Sequence, residues 1–93
     1  MAATIEIQKV AEEEFEVRIV EGTSATTHRV TLKPTDHERL AGGKADPAEL
    51  IRCSFEFLLE HESKESILPR FDLTVIGRYF PSYEREIRRR LGA

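Results

Sequence analysis

The segment Val30-Thr31-Leu32-Lys33-Pro34-Thr35-Asp36 marks a change in the spacing of the apolar residues. Before it, apolar and polar residues alternate, as in Phe15-Glu16-Val17-Arg18-Ile19. After it, the residues of one face recur every three or four positions, as Leu50, Ser54 and Leu58 do. A period of two indicates a half-buried strand, and a longer period of about 3.6 indicates a helix. The sequence therefore predicts a block of strands followed by a block of helices, which is an α+β domain with one core.

The length and composition limit the class of protein. A chain of 93 residues is expected to form a single domain over residues 1–93, with strands at about 4–33 and helices at about 35–91. The lone Cys53 excludes an internal disulfide, which suits a reducing compartment. No basic region followed by an apolar run opens the chain, and no apolar stretch approaches the ~20 residues that cross a bilayer. We therefore expect a cytoplasmic protein that contacts no membrane.

Three strands are predicted in the first third of the chain. They cover residues 4–10, 15–21 and about 26–33, and turns of polar and small residues separate them. Short links favour antiparallel pairing of neighbours. One face of each strand is apolar and the other is charged, which indicates a sheet with one wet side. The expected architecture is a three-stranded antiparallel β-meander, followed by three to four helices packed on its apolar face.

Two helix starts follow the strands. Thr35-Asp36-His37-Glu38 has the form of a capping box, and Gly42-Gly43 ends the short helix that it opens. Asp46-Pro47-Ala48-Glu49 places an acidic N-cap before a proline at the first helical position. This second start is the strongest local signal in the chain, and its helix is expected to run to about Ser63.

The helix predicted from Asp46 to about Ser63 is apolar around an unusually wide arc. Its apolar residues span roughly 240° in projection, whereas a surface helix needs about 100°. The sheet covers one side. The other side is covered either by the C-terminal segment of the same chain or by a second chain, and both alternatives stay open. If a second chain binds, the candidate interface residues are Cys53, Phe55, Phe57, Leu59, Tyr79 and Phe80.

Residues 71–80 are compatible with two structures. Their alternation of apolar residues predicts a fourth strand, whereas Asp72 in an N-cap position predicts a short helix. We favour the helix. A last helix is expected to begin at Ser82 and to stop at Gly92, and its narrow apolar stripe is formed by Tyr83, Ile87 and Leu91.

Three patterns follow one another in the second half of the chain: Leu50-Ile51-Arg52-x-Ser54-Phe55-x-Phe57-Leu58-Leu59-Glu60, Ser66-Ile67-Leu68-x-x-Phe71-Asp72-Leu73 and Ile76-x-x-Tyr79-Phe80-Pro81-x-Tyr83-Glu84. Together they resemble a family of small uncharacterised bacterial proteins, over roughly residues 28–87. That family has no assigned activity. The resemblance therefore implies a bacterial cytoplasmic protein and carries over no functional residue.

A cluster of arginines lies near the C-terminus and comprises Arg78, Arg85, Arg88, Arg89 and Arg90. A guanidinium group matches the geometry of phosphate oxygens, so the cluster is suited to RNA or another polyanion. Pairs four residues apart are expected between Glu84 and Arg88 and between Glu86 and Arg90. The net charge of −3 argues against a general nucleic-acid binder, so polyanion binding is the alternative function. Its candidate residues are Arg78, Arg85 and Arg89.

No set of residues suggests catalysis or metal binding. The three histidines and Cys53 lack the tight ligand pairs of a zinc site. Cys53 is predicted to lie in mid-helix beside Glu56 and Glu60, which disfavours a reactive thiolate. We therefore predict no catalytic residue, no metal and no cofactor. The favoured function is a small non-catalytic module that associates with itself as a homodimer or binds another protein.

Overall fold

The computed structural model describes residues 3–93, which form one mixed sheet and four α-helices. The strands are β1 (Thr4–Ala11), β2 (Glu14–Glu21), β3 (Ser24–Thr31) and β4 (Arg70–Asp72). The helices are α1 (Pro34–Ala41), α2 (Pro47–His61), α3 (Ile76–Tyr79) and α4 (Tyr83–Leu91), with short 3-10 turns at Lys64–Ser66 and Leu73–Val75. The predicted α+β class is confirmed. None of the helices in this described part of the chain combines the length and apolar character needed to cross a membrane.

The first three strands pair antiparallel in the order of the chain. The alternation in β2 places Phe15, Val17 and Ile19 in the core, as the sequence predicts. The opposite face of the sheet is charged, and its charges meet across neighbouring strands. Two of these ion pairs are Arg18–Glu6 and Arg29–Glu14, each with an N···O distance of 3.3 Å.

The sheet has a fourth strand, which corrects both the three-stranded meander and the favoured helix over residues 71–80. β4 pairs parallel with β3, and the N–H of Arg29 donates to the carbonyl of Pro69 at 2.8 Å. Asp72 ends the strand, because its carboxylate accepts from the backbone N–H of Thr74 at 3.1 Å. The chain then continues as a 3-10 turn and α3. The strand interpretation therefore holds for the start of the segment, in β4, and the helix interpretation holds for its end, in α3.

The two predicted helix starts have different outcomes. The start of α2 is confirmed, because Asp46 Oδ1 accepts from the backbone N–H of Glu49 at 2.8 Å. The capping box at Thr35 is wrong, because α1 begins at Pro34 with Lys33 as its N-cap and without a side-chain capping bond. Proline is pre-organised for the first helical position and has no N–H to satisfy, so it starts the helix earlier than a threonine cap would.

α2 lies in the core between the sheet and α4. On the side of the sheet, the ring of Phe55 lies 5.8 Å from His28 and 6.0 Å from Phe71, measured between ring centroids. On the side of α4, the hydroxyl oxygen of Ser54 lies 2.7 Å from that of Tyr83. The C-terminal segment therefore covers a large part of the wide apolar arc of α2.

Candidate functional site

An open apolar cavity lies between the C-terminal half of α2 and the segment 66–80 that follows it. Its volume is about 340 Å³, within the range of ~300–1,000 Å³ that ligand sites occupy. Leu68 and Tyr79 stand on its rim, with 44% and 66% of their surface exposed. We call this cavity the α2–α3 groove, and its lining residues are Leu58, Glu62, Ser66, Ile67, Leu68, Phe71, Val75, Ile76, Tyr79 and Phe80.

Hydrogen bonds from β3 hold one wall of the groove in place. His28 is buried, and its Nδ1 lies 2.8 Å from the carbonyl oxygen of Leu68. Because a carbonyl oxygen can only accept, Nδ1 carries the hydrogen of this bond. The other ring nitrogen, Nε2, lies 2.8 Å from Thr26 Oγ1, so both nitrogens have a partner. The segment that carries Leu68 is thereby attached to the sheet.

One end of the groove carries a negative charge. Glu62 lines the groove directly after α2 and forms no ion pair among residues 3–93. The last carbonyl groups of α2 add partial negative charge at the same end. The nearby Lys64 is already engaged, because its Nζ lies 3.0 Å from the Glu21 carboxylate and 2.7 Å from that of Glu65. This end of the groove therefore favours a cation.

The predicted interface residues are divided between the groove and other parts of the molecule. Tyr79 and Phe80 line the groove. Cys53 and Leu59 are half-buried against the core and lie outside the groove lining. Sequence reasoning missed Leu68 as a rim residue, and its only signal was a large apolar side chain next to a proline, outside the helical period.

Phe55 and Phe57 are buried core residues, which corrects their prediction as interface residues. The ring centroid of Phe57 lies 5.6 Å from that of Tyr83 and 5.8 Å from that of Phe80. The C-terminal segment thus covers this part of α2. A helical projection gives the direction of each side chain but does not show which segment of the chain packs against it.

An aromatic stack extends from the groove along the end of α2. The ring of His61 is exposed and lies 4.6 Å from the centroid of Phe57 and 5.0 Å from that of Phe80. The guanidinium carbon of Arg90 lies 5.7 Å from the centroid of the Phe57 ring, a cation–π distance. Because Phe80 also lines the groove, the aromatic surface continues from the groove to His61.

The three candidate polyanion-binding arginines differ in whether a carboxylate of the same chain already binds them. Arg89 donates two hydrogen bonds to the Glu86 carboxylate, at 2.7 and 2.8 Å. Arg78 and Arg85 are exposed and form no ion pair among residues 3–93. Two uncompensated guanidinium groups therefore remain where the sequence suggested three.

The predicted pairs along α4 are confirmed in one case. Glu86 and Arg90 approach to 3.7 Å, as expected for residues four positions apart. Glu84 instead contacts Arg39 on α1 at 2.5 Å, and Arg88 donates to the backbone carbonyl of Arg39. These contacts attach α4 to α1. Arg90 also pairs with Glu60 of α2 at 2.6 Å, so Arg88 and Arg90 of the cluster hold α4 against neighbouring helices.

The thiol of Cys53 is not activated. Burial raises the pKa of the Cys53 thiol above its ordinary value, Arg90 opposes the rise, and Glu56 and Glu60 add to it. A protonated thiol is a poor nucleophile. In the part of the chain that the structure describes, no group of three or more histidine, cysteine, aspartate or glutamate side chains is placed to hold a metal ion.

Comparison with known proteins finds no matching family model, no similar curated protein and no similar solved structure.

Proposed function

We propose that this protein is a small cytoplasmic, non-catalytic module that binds a protein partner through the α2–α3 groove. The observation that carries this proposal is the exposure of Tyr79 and Leu68 beside an open apolar cavity, at 66% and 44% of their surfaces. Aromatic side chains are enriched in the buried centres of protein interfaces. Covering such a surface removes apolar area from water, which contributes about 25 cal/mol per Å².

The chemistry of the lining supports a protein partner better than the substrate of an enzyme. Only Glu62, Ser66 and Tyr79 contribute polar side-chain groups to it. Nucleophilic catalysis needs a nucleophile and an activating base within hydrogen-bond reach of each other. None of these three side chains is hydrogen-bonded to another. An apolar surface with one charge at its edge has the composition of an interface core and rim.

The test compares partners that variants of the full chain retain from an extract of the native cell. Leu68→Asp and Tyr79→Asp each place a charge on the rim of the groove. Val10→Asp is the matched control, because Val10 is also an exposed apolar residue, at 39% of its surface, but lies on β1. We expect the control to retain the partners of the native chain and both groove variants to lose them, as measured by quantitative mass spectrometry. The same partners on all three variants would refute the proposal.

Binding of RNA or another polyanion through Arg78, Arg85 and Arg89 is the second candidate. It is supported by the two arginines without an ion pair and weakened by the bidentate contact of Arg89 with Glu86. Two phosphate contacts predict that affinity for polyuridylate falls roughly tenfold between low and physiological salt. We expect Arg78→Glu with Arg85→Glu to abolish such binding. An affinity that does not depend on salt or on these two residues would exclude this function.

A further inference from the structure

The α2–α3 groove and the residues beside it carry both halves of a complementary contact. Glu62 gives one end a carboxylate without an ion pair among residues 3–93, next to the carbonyl end of α2. Arg78 directly precedes Tyr79 on α3, is exposed and has no carboxylate partner among the same residues. The occupant that fits the groove is therefore an exposed aromatic side chain with a cation next to it. This chain displays that pair itself.

Building on the proposed function, we infer that the partner is a second copy of this chain, docked about a two-fold axis. Tyr79 of each copy enters the groove of the other, and Arg78 of each copy contacts Glu62 of the other. A two-fold interface uses the same patch on both sides, so that any contact between two different residues occurs twice. A patch with a cavity, an exposed aromatic residue, an anion and a cation is complementary to itself under this operation.

Other surfaces of the molecule are less suited to a second copy. The outer face of the sheet has charges that already meet within the chain, as in Arg18–Glu6 at 3.3 Å. The edge of β1 is partly occupied, because Arg52 donates to the carbonyl oxygen of Ile5 at 2.7 Å. The outward face of α4 carries Arg85, which would meet a like charge near a two-fold axis. The groove combines apolar area with Glu62, and Arg78 lies beside its rim residue Tyr79; neither charge has an ion pair among residues 3–93.

The size of the groove predicts a weak dimer. Ten residues line it, whereas each side of a standard interface contributes ~20–30 residues. Association is therefore expected in the micromolar range and should depend on protein concentration. Because the contact includes the exposed cation of Arg78 and the anion of Glu62 at one end of the groove, association should also weaken as salt rises.

Charge reversal tests this arrangement directly. In a two-fold dimer, Glu62→Arg places two arginines opposite each other at both ends, and Arg78→Glu does the same with two glutamates. Each single variant should lower the association constant at least about tenfold. An equimolar mixture of the two variants should form a heterodimer, because both of its charged contacts are again between opposite charges. The double variant should also recover self-association. Sedimentation velocity over a concentration series measures all four samples.

Fold controls are available for both positions. Arg78 is exposed, and the Glu62 side chain makes no hydrogen bond or ion pair among residues 3–93, so both variants should keep the circular dichroism spectrum of the native chain. Arg78→Gln removes the charge without reversing it and should weaken self-association less than Arg78→Glu does. Equal dimer formation by native and both reversed chains would overturn the inference, and so would a mixture that fails to recover.

The outcomes also separate this inference from the proposed function. A chain that stays monomeric at every concentration, but loses a different protein partner when Tyr79 becomes aspartate, overturns the second copy and supports the groove as a binding surface. A dimer that survives Leu68→Asp and Tyr79→Asp overturns the inference, because its interface lies elsewhere. A dimer that these two variants disrupt, and that the charge-reversed mixture restores, supports both.

Discussion

The effect of Tyr83→Phe on stability is expected to change sign when Ser54 is replaced by alanine. Both side chains are fully buried. Ser54 Oγ donates to the carbonyl of Leu50 at 2.8 Å and lies 2.7 Å from the Tyr83 hydroxyl. Because the serine hydrogen is directed to the carbonyl, the tyrosine is the donor and the serine oxygen the acceptor of the second bond. Both substitutions break the bond between the two hydroxyl groups, and Ser54→Ala also removes the bond to Leu50, so they leave different groups behind.

The magnitudes follow from which group loses its partner. In the native background, Tyr83→Phe removes the donor and leaves Ser54 bonded to Leu50, so the free energy of unfolding falls by about 1 kcal/mol. Ser54→Ala leaves the tyrosine hydroxyl buried without an acceptor, which costs about 1–3 kcal/mol. The higher helix propensity of alanine offsets at most about 0.5 kcal/mol of this. In the alanine background, Tyr83→Phe then removes the unsatisfied hydroxyl and should restore about 1 kcal/mol or more.

Urea unfolding of the native chain, both single variants and the double variant measures this cycle. The midpoints give the four stabilities if the dependence on urea is unchanged, and the melting temperatures should move by about 4–8 °C per kcal/mol. The expected coupling between the two sites is about 2 kcal/mol. Equal losses for Tyr83→Phe in both backgrounds would show that no buried bond joins the two hydroxyl groups and would refute the reasoning.

Three further predictions concern the cap of α2, high pH and the wall of the groove. Asp46→Ala should cost about 1 kcal/mol, because the carboxylate accepts a backbone N–H at 2.8 Å. Thr35→Ala, which removes no capping bond, should change stability by less than about 0.5 kcal/mol in the same urea assay. Burial raises the pKa of Tyr83 above its ordinary value of 10.0, so the unfolded chain loses that proton first. Stability should then fall as pH rises above about 10, and less steeply in Tyr83→Phe. His28→Leu removes the 2.8 Å bond to the Leu68 carbonyl, so amide hydrogen exchange around Leu68 should quicken while exchange in β1 stays unchanged.

Parts of the fold that depend on residues close together in the sequence were predictable from the sequence. The alternation in β2 correctly placed Val17 in the core, and the pairing of Asp46 with a following proline correctly located the start of α2. Both signals act within a few residues, through the two-residue period of a strand and the capping of free N–H groups. The start of α1 was wrong because two local signals competed there, and Pro34 prevailed over Thr35.

β4 was not predictable in the same way. The alternation over residues 71–80 allowed a strand there, but Asp72 in an N-cap position favoured a helix. β4 has only three residues, and its partner strand β3 lies far away along the chain. The hydrogen bond between Arg29 and Pro69 that introduces the pairing exists only after the chain has passed over α1 and α2. Parallel pairing requires such a crossover, and no local pattern encodes it.

The candidate site likewise has some features that the local sequence sets and others that tertiary packing sets. The sequence alone determined that α2 has more apolar surface than a sheet can cover, because that property follows from the angle between successive side chains. It also identified Tyr79 and Phe80 as candidates. Only the tertiary structure decided that Phe57 is covered by α4, and that Leu68 and Tyr79 remain exposed beside a cavity. The physical reason is that burial depends on the segment that packs against a side chain, and packing brings together residues whose positions in the sequence are unrelated.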